Sequence, residues 1–173
     1  GASADLVLVS QIAENSEAEI ETGLVERVVM EGGRPVLIIP QTVSYKTPKS
    51  IVVGYNDTRE AARAAFDAVP LLTAANDVRV VWVDPYKHRQ SAGELPGAEM
   101  ATVLARHGVK AMAEGLESNG LNAGEALLRL ANDRGADLLV MGAYAHSRLR
   151  QYIFGGSTQH VMEHARIPVL MSH

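Results

Sequence analysis

Short apolar runs alternate with amphipathic stretches along most of the chain. Five runs have the length of a buried β-strand, at residues 50–55, 78–83, 109–116, 136–142 and 167–172. The run at 109–116 alternates only weakly between apolar and polar residues, so we expect that strand near an edge of its sheet. The stretches between the runs predict four helices, at about 58–73, 98–107, 123–134 and 156–165.

The first predicted helix has its start signal at Asp57. Asp57 is a favourable N-cap residue, and Glu60 three positions later completes a predicted capping box. Ala62, Phe66 and Val69 recur at helical spacing, so we expect them to form the buried face of this helix.

A second capping box is predicted at the start of the helix 123–134. Asn122 is the expected N-cap residue, and Glu125 is its partner. Leu127, Leu130 and Ala131 follow at helical spacing and predict the stripe of this helix that packs on the sheet.

Strands that alternate with helices predict right-handed crossovers and an α/β fold. We expect an open, five-stranded parallel sheet with helices on both faces, in a Rossmann-like arrangement. Ligands of such sheets bind beyond the carboxyl ends of the strands, where the strand order switches. The segment Gly54-Tyr55-Asn56 and the loop 142–158 each follow a strand, so both are expected at that edge.

The first 40 residues resemble the end of the chain. ADLVLVS (4–10) is similar to ADLLVMG (136–142), and residues 23–39 align with 156–172 without a gap. We therefore expect residues 1–40 to be the final strand–helix–strand unit of an earlier copy of the domain, 41–49 a linker, and 50–173 a complete domain. The alternative is a chance similarity between two strand–helix–strand pieces.

The two copies differ where a ligand would bind. Ser10 stands in the first copy where Gly142 stands in the second, and Thr22 stands where Gly155 does. Acidic residues fill the intervening loop of the first copy, and they would repel a phosphate group. If either copy binds a nucleotide, the second copy is the expected one.

Composition and charge argue against nucleic-acid and membrane partners and exclude cysteine chemistry. The net charge is −4, with no basic stripe, so we expect no nucleic-acid partner. No apolar run approaches the roughly 20 residues that span a bilayer, and no signal peptide is visible, so we expect a cytoplasmic protein without a membrane partner. The chain contains no cysteine, which excludes disulfides and thiolate metal sites.

The sequence contains only weak indications of a metal site or of a hydrolytic active site. His160 and His164 are spaced one helical turn apart, as two metal ligands would be, but no third ligand is evident and we expect no metal site. No nucleophile elbow is present, so we do not expect an efficient hydrolase.

The loop 142–158 has the composition of a phosphate-binding loop. Glycines at 142, 155 and 156 precede Ser157 and Thr158, and a helix is predicted to begin near Gly156. The N-terminus of a helix favours an anion, and His146 and Arg148 would add positive charge. The alternative is a structural strand-to-helix loop with no ligand.

Residues 49–173 resemble a universal stress protein domain. Nucleotide-binding members of that family carry Gly-x-x-Gly, nine residues, and then Gly-Ser/Thr. Gly142, Ala145, Gly155 and Gly156 keep that spacing here, and VGYNDTREAARA resembles the family's first strand–helix junction. The resemblance implies a tandem chain that holds the tail of one such domain and a whole second one.

The resemblance also implies a ligand and its site. It implies an adenine nucleotide, ATP or AMP, with Mg²⁺ if the ligand is ATP. The implied contact residues are Gly54, Tyr55, Asn56, Val83, Gly142, Ala145, His146, Arg148, Gly155, Gly156, Ser157 and Thr158. Val83 would line the adenine pocket, and ordinary apolar packing is the alternative for that residue.

The chain departs from the family motif at three positions. Ala145 replaces the second glycine, and its methyl group costs on the order of 1 kcal/mol if that backbone must adopt a positive φ. Gly156 replaces the first hydroxyl residue, so that Ser157 is the next hydroxyl. Asn56 replaces the usual acidic residue, and it would bind a ribose hydroxyl without charge assistance.

The last predicted strand, Ile167 to Ser172, is apolar and would need a partner along its edge. Pairing with a second chain, or with VLII (36–39) of the first copy, would cover it, giving a homodimer or a pseudo-dimer. The function that this resemblance implies is adenine-nucleotide binding in a stress response, with slow ATP hydrolysis at most. The alternative is an interaction module that acts through the last strand without a nucleotide.

Overall fold

The described strands form one mixed β-sheet, and the helices pack against it. The computed structural model describes residues 4–11, 18–44, 46–85, 97–143 and 156–173. The strands are β1 Val7–Ser10, β2 Val36–Ile39, β3 Ser50–Gly54, β4 Asp77–Val83, β5 Ala111–Leu116, β6 Leu138–Gly142 and β7 Val169–Ser172. The helices are α1 Ala18–Glu31, α2 Arg59–Asp67, α3 Val69–Leu72, α4 Ala98–Arg106, α5 Ala123–Asp133 and α6 Gly156–His164.

The seven strands lie in the order β1-β2-β7-β6-β3-β4-β5. Strands β3 to β7 form a parallel sheet, as predicted, and β5 is at its edge. β2 pairs with β7 in the antiparallel direction, so the last strand is covered within the same chain. This is the second of the two partners that the sequence suggested for that strand.

Helices cover both faces of the sheet, which confirms the predicted fold class. One face packs against α2, α3 and α4, with Leu138, Val140 and Leu170 among its buried strand residues. The other face packs against α1, α5 and α6, with Leu139 and Met171 among its own. None of the described helices is long and apolar enough to cross a membrane.

The predicted N-cap of α2 is wrong by one residue. Asp57 has a left-handed backbone (φ 58°), and its carboxylate accepts a hydrogen bond from the Tyr55 hydroxyl at 3.1 Å. Thr58 is extended instead, and its side-chain oxygen accepts from the Ala61 N–H at 3.3 Å. Thr58 is therefore the N-cap residue, and Asp57 belongs to the turn before it.

The predicted single helix over 58–73 is divided in two. α2 ends at Asp67 and α3 begins at Val69, with Pro70 in its first turn. Proline has no N–H to donate, and its ring collides with the carbonyl one turn earlier, so a continuous helix is broken at this point.

The predicted buried face of the helix is only partly right, since Ala62 and Val69 are half-buried against the core but Phe66 is not. Ala61, Ala64 and Ala65 are the residues that face the sheet, while Phe66 is 45% exposed and places its ring edge-on to His107. Small side chains on this face let the helix backbone approach the sheet closely, which large apolar residues would prevent.

The capping box at the start of α5 is confirmed. Asn122 Oδ1 accepts from the Glu125 N–H at 3.0 Å, and Glu125 Oε2 accepts from the Asn122 N–H at 2.9 Å. Leu127 and Ala131 are buried as predicted, whereas Leu130 is only half-buried.

The unit β1–α1–β2 has the same backbone pairing as β6–α6–β7. The Val7 N–H donates to the Pro35 carbonyl at 3.0 Å, just as the Leu139 N–H donates to the Pro168 carbonyl at 3.0 Å. Along both parallel pairs, the residues that the sequence alignment equates occupy the same register.

The contact between β2 and β7 has the geometry of a local two-fold axis. Leu37 lies opposite Leu170, and the alignment of the two copies equates these two residues. The flanking pairs, Val36 with Met171 and Ile38 with Val169, are exchanged by the same alignment. A self-complementary contact of this kind is the form that a symmetric dimer interface takes.

Candidate functional site

The candidate site lies at the carboxyl ends of β3 and β6. These strands are parallel neighbours, with Gly54 opposite Met141 and Gly142 one residue beyond. The chain runs from β3 to β4 on one side, and β6 lies on the other side, so the strand order switches here. Because α2 and α6 begin beyond this edge, on opposite faces of the sheet, the edge has the features of a ligand crevice.

Gly142 is required by packing. A Cβ atom on Gly142 would lie 2.5 Å from the Ala61 nitrogen and 2.5 Å from the carbonyl carbon of Glu60. Both atoms belong to the backbone of α2, which cannot move aside as a side chain can. The first glycine of the predicted phosphate loop therefore also sets how closely α2 approaches β6.

Gly54 is crowded by a side chain instead. A Cβ atom there would lie 2.7 Å from Cδ1 of Leu127, on α5. Leucine can change rotamer, so this contact is less strict than the one at Gly142. Gly54 holds α5 against the end of β3.

Tyr55 is fixed by three contacts. Its N–H donates to the Val81 carbonyl at 2.9 Å, its ring lies edge-on to Trp82 with centroids 6.0 Å apart, and its hydroxyl donates to Asp57. The side chain is half-buried against the core. Tyr55 thus orients the turn that presents Asn56.

Asn56 is exposed in this turn, as is Asp57. Its Oδ1 accepts a hydrogen bond from the Thr58 hydroxyl at 2.8 Å. An asparagine amide also carries two N–H donors, so the side chain can still donate to a hydroxyl or phosphate oxygen. The turn between β3 and α2 therefore offers a polar group at the site.

Val83 and Asp84 end the neighbouring strand β4. Val83 is half-buried and packs on the hydrophobic cluster of the α5–α6 face. Asp84 has a positive φ of 50°, and its carboxylate accepts from the Ser118 N–H at 2.8 Å and from the Ser118 hydroxyl at 2.6 Å. These hydrogen bonds join the ends of β4 and β5; they were not predicted, although an aspartate directly after a strand was a signal for them.

The start of α6 supplies the second wall of the site. Gly156 is exposed, and a Cβ atom there would meet nothing within 4 Å. Thr158 is buried, with 4% of its surface exposed. The first amides of a helix have no partner within the helix, so this end favours an anionic ligand. Gly156 and Ser157 are therefore the more accessible residues of this turn.

A second close approach joins α6 to α5. A Cβ atom on Gly124 would collide with the carbonyl oxygen of Ser157. Gly124 was not among the predicted site residues, yet glycine inside a helix is unfavourable and usually marks a tight contact. Gly124 thus fixes where α6 begins.

Four of the predicted site residues lie outside the described part of the chain. They are Ala145, His146, Arg148 and Gly155. Among the other predicted residues, Gly54 and Gly142 lie at the ends of the paired strands β3 and β6, and Gly156, Ser157 and Thr158 open α6. Val83 has a packing contact on the neighbouring strand.

The described charges at this edge are mixed. Arg59 pairs with Glu60 at 3.4 Å, and His160 Nδ1 lies 3.8 Å from Glu125 Oε1. With Asp57 also present, carboxylates are well represented around the crevice. A phosphate ligand would therefore need cations beyond Arg59, such as a metal ion or basic residues of the loop.

The histidine pair of α6 is stacked. The rings of His160 and His164 have centroids 4.3 Å apart and an interplanar angle of 12°, and His164 Nδ1 lies 3.0 Å from the His160 carbonyl oxygen. Within the described ranges, no group of three or more His, Asp or Glu side chains is placed to hold a metal ion.

Sequence comparison decides the family. The universal stress protein family model matches residues 47–173, which is most of the chain. The chain belongs to the universal stress protein family. Its predicted membership is thereby confirmed.

A curated relative supports the same assignment. Universal stress protein Slr1230 from Synechocystis sp. is 31% identical to this universal stress protein over 151 residues. The match covers 84% of this chain and 49% of the relative, so the chain spans about half the length of Slr1230.

Solved universal stress proteins share the fold. A universal stress protein from Archaeoglobus fulgidus DSM 4304 superposes with a TM-score of 0.70 at 16% identity, covering 97% of this chain and 60% of that one. A universal stress protein in complex with cAMP superposes with a TM-score of 0.54 at 19% identity, covering 74% of this chain and 99% of that one.

Proposed function

We propose that this universal stress protein binds an adenine nucleotide, ATP or AMP, at the carboxyl ends of β3 and β6. The observation that carries the proposal is the convergence of two glycine strand ends with the first turns of α2 and α6 at the switch in strand order. The fold likeness to a universal stress protein in complex with cAMP supports the same ligand class.

The proposed contacts divide by the part of the nucleotide. Gly54, Tyr55 and Asn56 would contact the ribose and adenine side, with Val83 at the base. The exposed start of α6 at Gly156 and Ser157 would bind phosphate through its backbone N–H groups.

The remaining proposed contacts are on the phosphate side. Gly142, Ala145, His146, Arg148, Gly155 and Thr158 complete the proposed set. Since carboxylates surround the described crevice, we expect the triphosphate of ATP to need Mg²⁺, whereas AMP would bind with less dependence on the metal.

We propose a binding protein with slow ATP hydrolysis at most. The described carboxylates near the crevice are engaged: Asp57 accepts from Tyr55, Glu60 pairs with Arg59, and Glu125 completes the capping box of α5. A role as sensor in a stress response fits such a site better than rapid turnover.

A substitution at Gly156 tests the proposal. A Cβ atom there meets no described protein atom within 4 Å, so we expect Gly156→Val to fold while its side chain blocks the phosphate from the start of α6. Gly23→Val is the matched control, because Gly23 is the equivalent position in the first unit and also has open space. Thermal denaturation with and without ATP and Mg²⁺ is the assay.

The expected result is nucleotide stabilisation in the wild type and in Gly23→Val but not in Gly156→Val. At a nucleotide concentration of 100 Kd the stabilisation should be about 2.7 kcal/mol. Equal stabilisation of both variants would place the phosphate elsewhere, and no stabilisation of the wild type at millimolar nucleotide would refute the proposal.

The pairing of β2 with β7 supports a second candidate function. As this second candidate, we propose an interaction module that acts through the last strand without a nucleotide. In it, residues 1–40 are the last unit of an earlier universal-stress-type domain, 41–49 are the linker, and 50–173 are a complete domain. The symmetric placing of Leu37 opposite Leu170 favours this pseudo-dimer. A chain that binds no nucleotide, yet loses its fold when this contact is broken, would favour the module over the nucleotide site.

A further inference from the structure

The strand β1 is at the free edge of the sheet and exposes apolar side chains. It pairs with β2 alone among the described strands. Leu8 is 62% exposed and Leu6, just before the strand, is 36% exposed. An edge with unpaired backbone and exposed leucines is an unstable arrangement in water unless another element covers it.

The equivalent strand β6 shows what covers such residues. The sequence alignment equates Leu6 with Leu138 and Leu8 with Val140, which are 1% and 0% exposed. β3 pairs along the edge of β6, and α2 packs over the same two residues. The two strands thus differ in exposure because, among the described residues, β1 has no neighbour corresponding to β3 and α2.

An aspartate lies just before each of the two equivalent strands, β6 and β1. Asp137, just before β6, accepts hydrogen bonds through Oδ2 from the backbone N–H groups of Lys49 at 2.9 Å and of Ser50 at 3.1 Å. These two amides lead into β3, so Asp137 fixes the start of the neighbouring strand. The alignment equates Asp137 with Asp5, which is exposed just before β1.

We propose that the free edge of β1 is a docking site for a parallel strand–helix unit of the β3–α2 type from a universal-stress-type domain outside residues 1–173; this rests on the second candidate function, in which residues 1–40 are the last unit of such a domain. Asp5 would bind the first two backbone amides of the incoming strand. The strand would pair with β1, and its helix would cover Leu6 and Leu8. The β2–β7 pairing supports this occupant, since its register has the form of a local two-fold axis between the two units, and that axis would carry β3–α2 onto this edge.

A single-cysteine reporter tests the docking site. The chain has no cysteine, so Leu8→Cys introduces a unique thiol whose rate of labelling reports its exposure. A second copy of residues 47–135 fused ahead of Ala4 supplies the proposed unit, and it reproduces the natural junction of Gly135 with the following Ala-Asp-Leu. Met112→Cys in the original copy is the matched control, because Met112 is 56% exposed on the opposite edge strand.

The expected result is fast labelling of Leu8→Cys in the 173-residue chain and labelling slower by about tenfold or more in the fusion, because reaction would then require local opening. Met112→Cys should react alike in both proteins. Adding Asp5→Ala to the fusion should return the rate at residue 8 toward that of the unfused chain.

Three outcomes would overturn the proposal. Equal rates at residue 8 in the chain and in the fusion would mean that the unit does not dock. Protection in the fusion that Asp5→Ala leaves unchanged would overturn the proposed binding of the incoming strand by Asp5. Protection that rises with concentration in the unfused chain would show that a second copy of the chain covers this edge.

Discussion

Replacing Gly142 with alanine should move α2 and weaken the fold. The new Cβ atom would lie 2.5 Å from two backbone atoms of α2, at Glu60 and Ala61, where ordinary contacts begin near 3.4 Å. The helix would have to retreat by about 1 Å, and overpacking of this kind typically costs about 1–3 kcal/mol. For a chain of this size the midpoint of thermal unfolding should fall by roughly 2–12 °C.

The control for this experiment is Gly156→Ala, because a Cβ atom at Gly156 meets nothing within 4 Å. Its midpoint should change little, or rise slightly, since alanine favours the helix. Circular dichroism melts of both variants measure the difference. If Gly142→Ala melts with the wild type, the close approach of α2 to β6 does not exist as described, and the site geometry built on it is wrong.

Two carboxyl groups give further predictions through pH. Burial raises the pKa of Asp137, but hydrogen bonds from the Lys49 amide, the Lys46 ammonium and the Ser50 amide, together with the charge of Lys46, outweigh burial and lower it. Its stabilisation is therefore present at neutral pH and lost as the pH falls through that lowered pKa. Asp137→Asn should therefore lower the free energy of unfolding, measured by urea titration at pH 7, by about 1.5–3 kcal/mol. The difference between the variant and the wild type should vanish in strong acid. A difference that stays constant at all pH values would contradict this. Burial and the nearby Glu163 raise the pKa of Glu26, so its stabilising contribution is lost as the pH rises. Glu26→Gln should melt higher than the wild type at pH 7 but not near pH 4, and a lower melting point at pH 7 would show that the carboxylate is stabilising.

The strands were predictable because the apolar runs are short and are interrupted by helix signals. The partner of β7 was less certain, since the antiparallel contact with β2 depends on residues more than 100 positions away in sequence. The alignment of the two copies named that partner as one of two alternatives, and the structure shows the pairing inside the chain.

The N-cap and the exposure of Phe66 in α2 were predicted wrongly because both depend on backbone geometry and packing, which sequence periodicity does not reveal. Asp57 resembles an N-cap residue, yet its left-handed backbone leaves that role to Thr58. Phe66 resembles a core residue, yet the tight contact of α2 with Gly142 admits only alanines on the inner face.

The candidate site was predictable in part. Glycines directly after strands indicated Gly54 and Gly142, and both lie at the expected edge. The packing reasons for these glycines, and the roles of Gly124 and Asp84, depend on contacts between elements distant in sequence. A strand-end glycine therefore indicates a crowded backbone with or without a ligand, and the function must be tested by binding.

Isothermal titration of the wild-type chain and of Gly156→Val with ATP, in the presence of Mg²⁺, tests the proposed nucleotide site most directly. We expect saturable heat at one site per chain for the wild type, and at least about a tenfold weaker affinity for the variant, which corresponds to a loss of about 1.4 kcal/mol. No heat with either protein at millimolar nucleotide, or equal affinity in both, would contradict it.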